Sequence, residues 1–208
     1  MKPKVLTFDI FGTVLNWREG LRRELASYGI ELTPELFDEI VDIQGADEKL
    51  GFKTYSEITA RSLVEACAFR REDADEISQR IGYWPLYDDS AEALEALMAK
   101  APCVAMSNSD RLHGEQVQEQ LGFRLSSWFC AEQTRVYKPD PEFWRQVSSE
   151  LKIPLNRDWW HVSAYADYDL NTARELGLTC VFIERPHSRP GPHDLRFESL
   201  LELAQRID

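Results

Sequence analysis

Five short apolar runs constrain this chain more than any other feature: Val5–Phe8, Cys103–Met106, Trp128–Cys130, Trp159–Val162 and Cys180–Ile183. Their length and residue types read as buried strands. Between the later runs lie segments with apolar residues at helical spacing. Ser90–Lys100 (SAEALEALMAK) is made of strong helix formers behind a serine placed to cap it. Gly114–Leu121 stops at Gly122, Pro141–Leu151 opens on a proline, and Leu170–Leu176 stops at Gly177. Strands alternating with helices of this length predict an α/β fold with a parallel sheet flanked by helices on both faces.

From Asn16 to Pro85 that rhythm breaks, and only helical patterns occur: Trp17–Tyr28, Pro34–Gln44 behind a Thr33 cap, Tyr55–Ala68 and Asp73–Gly82. The predicted division is therefore a sheet-bearing core, residues 1–15 and 86–208, and a helical cap, residues 16–85, inserted after the first strand. Open parallel sheets hold ligands beyond the carboxyl ends of their strands. An insert leaving just after Asp9 is thus expected as a lid over that edge. The alternative is that its helices pack into one common core.

Polar groups gather at the same edge. Asp9 follows Val5-Leu6-Thr7-Phe8, and Ser107-Asn108-Ser109-Asp110 follows the second run. Tyr137-Lys138-Pro139-Asp140 precedes a helix, and Ser163 to Asp169 follows Trp160-His161-Val162. A carboxylate, a hydroxyl and amide pair, an ammonium and a second carboxylate are expected to converge.

The ordered set D-I-F-G-T, M-S-N, K-P and a final aspartate in V-S-x-x-x-x-Y-D-L resembles the haloacid dehalogenase superfamily over essentially the whole chain. The resemblance implies a Rossmann-like core, with the insert in the place of that superfamily's helical cap. It implies that Asp9 is the nucleophile, forming a covalent intermediate that water then opens. Lys138 is the expected partner that holds Asp9 ionised, since crowded carboxylates repel strongly. Ser107 and Asn108 are candidates to donate hydrogen bonds to substrate or leaving group. Thr13 is a candidate to bond the nucleophile, or serves the turn. Asp169 is expected to orient Lys138 or the hydrolytic water, and equally suits a helix N-cap.

Phe11 separates two branches of the superfamily. Phosphatases carry a second acid there, which protonates an alkoxide leaving group, and bind Mg²⁺ against the phosphate charge. A phenyl ring does neither. A halide needs no proton to leave, so the pattern resembles the 2-haloacid dehalogenase branch, whose product is a 2-hydroxy acid and which needs no cofactor. In that branch a tyrosine stands where this chain has Trp144, and Ser163 is matched while Tyr165 replaces an amide. Asp167 keeps a metal-dependent phosphatase open, and hydrolysis of another small 2-substituted acid stays open too. Arg18 is the candidate to hold a substrate carboxylate, with Arg22 one turn on. Phe11, Trp17 and Tyr165 are candidates for an apolar wall. Cleavage of a carbon–fluorine bond would need tighter halide stabilisation than any motif displays.

A formal net charge of −12 sets nucleic acid aside as the main partner, because phosphate binding needs a basic face. A small anionic organic acid remains compatible, since a pocket's local charge can oppose the global sign. No apolar run approaches the roughly 20 residues that span a bilayer, and Met1-Lys2-Pro3-Lys4 leads into a strand rather than a signal peptide. Cys67, Cys103, Cys130 and Cys180 are widely spaced and form no C-x-x-C pair, as expected of free thiols in the cytoplasm. A homodimer formed through an apolar cap face stays open.

Overall fold

The computed structural model describes residues 2–207. Six parallel strands form one sheet: β1 Val5–Phe8, β2 Cys103–Ser107, β3 Ser127–Cys130, β4 Trp159–Ser163, β5 Thr179–Ile183 and β6 Leu195–Phe197. Their spatial order is β3-β2-β1-β4-β5-β6. Leu6 of β1 lies opposite Cys103 of β2, and Val5 opposite Trp159 of β4. Every residue of β1, β2, β4 and β5 is buried. That explains why they read as unbroken apolar runs, as strands covered on both faces do. The order reverses between β1 and β4, and the crevice beyond that switch point is where such sheets hold ligands. Asp9, one residue past β1, stands there.

Among the described residues, ten α-helices accompany the sheet. The insert supplies α1 Trp17–Ser27, α2 Pro34–Glu48, α3 Tyr55–Cys67 and α4 Arg71–Ser78, then a short 3₁₀ turn, Ile81–Tyr83. The rest are α5 Ser90–Met98, α6 Arg111–Leu121, α7 Ala131–Thr134, α8 Pro141–Leu151, α9 Asn171–Glu175 and α10 Leu200–Arg206. Local chemistry starts several of them. Asn16 and Thr33 accept the Glu19 and Leu36 N–H groups, and Thr54 and Glu57 form a reciprocal capping box.

Two differences from the sequence reading matter. Helix α2 does not stop at Gln44 but runs through Gly45 to Glu48. A helical glycine costs about 1 kcal/mol. Here the last turn is held from outside, because buried Asp47 is ion-paired to Lys53 and to Arg61, the latter at 2.5 Å. The short α7 in mid-chain, and β6 and α10 near the carboxyl end, carry no legible pattern; β6 is three residues at the sheet edge, none of them buried.

Leu21, Leu25, Ile40 and Leu63 of the insert belong to one buried apolar cluster with Leu6, Phe8 and Val162 of the sheet. The insert therefore shares the sheet's core as well as covering its carboxyl edge. Asp110, at the start of α6, ties the two together. Its carboxylate accepts the Tyr55 and Ser56 N–H groups at the start of α3, at 2.7 and 2.8 Å, and the Ser56 hydroxyl at 2.6 Å. Among the described residues, no helix is long and apolar enough to cross a membrane.

The turn after β1 is the tightest point. Gly12 has φ +96°, and a Cβ there would lie 2.1 Å from the Tyr165 hydroxyl oxygen. Gly12→Ala combines backbone strain with overpacking. It is expected to lower unfolding free energy by about 2 kcal/mol or more, read from the urea midpoint.

Candidate active site

Asp9 is nearly buried, and its neighbours hold both carboxylate oxygens. The Thr13 hydroxyl donates to Oδ2 at 2.7 Å, and Lys138 Nζ donates to Oδ1 at 3.0 Å. Thr13 Oγ1 in turn accepts the Ala164 N–H at 2.9 Å, which locks the β1 turn to the end of β4. Lys138 Nζ also donates to Asp169 Oδ2 at 3.0 Å. A wide π-type turn, Ala166–Leu170, brings Asp169 to that position. Such turns recur at functional sites.

His161, in the middle of β4, extends the cluster inward. Its Nε2 lies 3.2 Å from Asp169 Oδ2, and its Nδ1 lies 2.7 Å from Thr7 Oγ1. Thr7 accepts the Trp159 indole N–H at 2.7 Å and has its own proton to give. The Nδ1 at 2.7 Å is a better acceptor for it than the Trp160 carbonyl at 3.4 Å. That leaves the ring proton on Nε2, facing Asp169. Trp144 packs its ring edge-on against His161, with centroids 5.5 Å apart, and is fully buried beneath this network.

Burial dominates the electrostatics of all three charged groups, and the neighbours decide the net direction. Burial pushes the Asp9 carboxyl above its ordinary 3.8; Lys138 pulls against that and Asp169 adds to it. Burial also works to raise Asp169, but Lys138 and His161 outweigh it and hold that carboxyl well below 3.8. For Lys138, burial favours the neutral amine, and the two carboxylates outweigh it and keep the ammonium. One cation thus serves two carboxylates. Asp169 is the firmly ionised partner, and Asp9 is the carboxyl whose ionisation burial opposes.

Above Asp9 opens a cavity of about 480 Å³. Its floor is the strand edge, with Asp9, Phe11, Ser107, Asn108, Lys138 and Tyr165. Its opposite wall comes from the insert, with Trp17, Val41, Gln44, Gly45, Glu48, Lys49 and Tyr55. Of the sequence candidates, Asp9, Lys138, Phe11, Ser107, Asn108 and Tyr165 line it, and Asp169 and Thr13 lie just behind. Asn108 is largely engaged. It accepts the Lys138 N–H at 2.7 Å and donates to the Lys138 carbonyl at 2.9 Å, so it fixes the lysine's backbone. Ser107 Oγ donates to Ser109 Oγ at 2.8 Å.

Four further candidates do not line the cavity: Arg18, Ser163, Arg22 and Asp167. Arg18 lies on the face of α1 turned toward α2 and the loop after β5. Its guanidinium stacks on Phe37 at 4.1 Å and donates to His187 Nδ1 at 3.1 Å. Neighbouring Trp17 turns inward instead, and its indole N–H donates to the Tyr165 hydroxyl at 3.0 Å. Ser163 is fully buried, and its Oγ accepts the Tyr165 N–H at 3.1 Å, closing a local turn. Arg22 is exposed and paired with Glu19 at 2.6 Å. Asp167 faces Arg189 at 3.5 Å on the surface.

Sequence reading missed three residues. His161 was visible as a lone polar residue inside W-W-H-V-S, a run that reads as fully buried. Arg189 lines the cavity from the loop after β5, beside Tyr165, and a loop leaving a strand's carboxyl end is where such residues are to be sought. Glu48 carries no signal in the sequence, because the pattern that predicts α2 ends at Gln44.

The family described as haloacid dehalogenase-like hydrolase matches residues 3–163, and the chain belongs to that family of hydrolases. (S)-2-haloacid dehalogenase 4A of Burkholderia cepacia is 31% identical over 107 residues, which are 50% of this chain and 46% of that protein's length. The match thus spans about half of each. The crystal structure of a defluorinating L-2-haloacid dehalogenase superposes with a TM-score of 0.84 at 21% identity, covering 99% of this chain and 95% of that one. A putative HAD-hydrolase of Bacillus subtilis bound to magnesium superposes with a TM-score of 0.79 at 16% identity, covering 100% and 99%. At these identities the likeness shows the fold alone, and a dehalogenase and a magnesium-bound protein share it. The side chains must distinguish the chemistries.

The two carboxylates have opposite linkage to stability. The contribution of ionised Asp169 is full above 3.8 and drains as pH falls below it, because its folded-state value is depressed. Asp9, raised by burial, opposes folding when ionised. Asp169→Asn is therefore expected to cost about 3 kcal/mol at pH 7, as for breaking a buried pair. Asp9→Asn is expected to cost far less or to stabilise. Urea unfolding of both variants checks the order.

Proposed function

We propose that this protein is a metal-independent hydrolase that uses Asp9 to displace halide from a small 2-haloalkanoic acid, giving the 2-hydroxy acid. The observation that carries this reading is Phe11. It lines the cavity beside Asp9 in the place where a phosphatase needs a proton-donating, metal-binding acid. The ring contacts Tyr55 and His113, with centroids 6.1 and 6.4 Å away, and leaves an apolar surface by the reacting carbon.

An Asp9 carboxylate oxygen attacks C2 as the carbon–halogen bond breaks, with its electron pair leaving on the halide. Lys138 holds Asp9 ionised and in place while the substrate carboxylate adds negative charge. Water then attacks the acyl carbon of the Asp9 ester, which releases the 2-hydroxy acid, regenerates the carboxylate and sets one proton free. Asp169 orients Lys138 through its Oδ2. Thr13 and Asn108 are positioning residues.

Arg189 takes the part first given to Arg18. It is the one guanidinium that lines the cavity among the described residues, and it suits bidentate recognition of a carboxylate. The segment 16–85 acts as the cap that excludes water during attack. The magnesium-dependent phosphatase reading gains nothing from the side chains. Asp167 faces Arg189 at the surface, and no three His, Cys, Asp or Glu side chains among the described residues gather to hold a metal ion.

Halide release from 2-chloropropionate or 2-bromopropionate is expected in EDTA. Asp9→Asn should abolish it, and turnover by that variant would remove the nucleophile assignment. Arg189→Ala should raise KM at least tenfold with a smaller change in kcat. The acid limb of kcat/KM should lie above 3.8, because the rate is lost as pH falls through the raised Asp9 value.

A further inference from the structure

In an in-line displacement the leaving group departs on the side opposite the nucleophile. Asp9 is on the cavity floor at the sheet edge, so the halide leaves toward the wall that the insert provides. The ionisable side chains on that wall are Glu48 and Lys49 at the end of α2 and Tyr55 at the start of α3. Lys49 is exposed to solvent. The Tyr55 hydroxyl is already spent on Gln44 Oε1 at 3.1 Å, and burial pushes its pKa far up. Glu48 is different. It lines the cavity, has no ion-pair partner among the described residues, and meets the Asn108 side chain there.

We propose that Glu48 is the general acid of this site, giving its proton to the leaving group, and that the substrate class therefore includes 2-fluoroalkanoic acids. The proposal rests on the Asp9 reading above. Fluoride is the most basic and most strongly hydrated halide, so it is the one whose departure gains most from a proton. Bromide needs none. A second acid is missing at Phe11, and Glu48 supplies one to the same cavity from the last turn of α2.

The surroundings of Glu48 suit the role. Burial lifts its carboxyl from 4.5 to about 7, against the pull of Asn108, Lys138 and Lys49. The phenols of Tyr55, Tyr137 and Tyr168 stand around it and feel its charge. A carboxyl so placed is still partly protonated near neutrality, and its neutral form does not repel a substrate carboxylate. In the step, Asp9 Oδ bonds to C2 while the C2–F bond breaks with its electron pair on fluorine. Glu48 transfers its proton to that fluorine, leaving HF and the Glu48 carboxylate. When water opens the Asp9 ester, the proton it releases reloads Glu48, so the cycle closes with one water consumed.

The test compares Glu48→Gln, which keeps the shape and loses the acid, with the unaltered protein. Fluoride release from 2-fluoropropionate and bromide release from 2-bromopropionate are measured in single turnover. The fluoride-to-bromide rate ratio is expected to fall at least tenfold, within the range of a lost general acid. In the unaltered protein, fluoride release should decline as pH rises through about 7, which needs no variant to fold. A proportional fall in both rates would assign Glu48 a structural role and overturn the proposal. Bromide release without fluoride release in the unaltered protein overturns it too and leaves the Asp9 reading standing. Release of neither halide overturns both.

Discussion

One buried ammonium organises this molecule. Lys138 Nζ stands 3.0 Å from Asp9 and 3.0 Å from Asp169, with all three side chains essentially out of water. A buried charge without partners is expensive, so each member is stable only because the others are placed to meet it. Much of the surrounding structure serves that placement. Asn108 clamps the Lys138 peptide from β2, Thr13 holds Asp9, and the π-type turn carries Asp169. The result is an asymmetric pair of carboxylates. Both carboxylates share the cation, but Asp169 also has His161 beside it and is held low, whereas Asp9 is raised by burial. That division suits one carboxylate to structure and the other to attack.

The insert contributes to the site as much as the sheet does. Asp110 binds the start of α3 to the core, and the Asp47 ion pairs hold the last turn of α2. Those two anchorings bring Tyr55 and Glu48 to the cavity wall. The loop after β5 closes a third side. Buried Arg185 donates to the Thr13 carbonyl at 3.0 Å, and Arg189 pairs with the segment after β4 through backbone hydrogen bonds of 2.8 Å. The cavity is thus walled by three separate stretches of chain around one short strand end.

Most of the sheet was legible because strands buried on both faces must be apolar throughout, and each ended where a polar motif began. The helix starts were legible from their caps. What stayed hidden depended on partners far away in sequence. The end of α2 is decided by ion pairs to Lys53 and Arg61 against a glycine that argued for stopping. Arg18 and Trp17 are neighbours in a motif-adjacent helix, and the sequence does not say which of them turns inward. β6 is too short and too exposed to carry a pattern.

By itself, the sequence determined the parallel α/β core, the helices between its first and second strands, and Asp9, Lys138 and Asp169 as residues that meet. These follow from local periodicity and from ordered motifs at strand ends, which are short-range properties. Only the tertiary structure decided that His161 stands beside Asp169, that Arg189 rather than Arg18 reaches the cavity, and that Glu48 lines it. Each of those is a relation between side chains on elements distant in the chain, fixed by how helices and loops pack over the sheet edge.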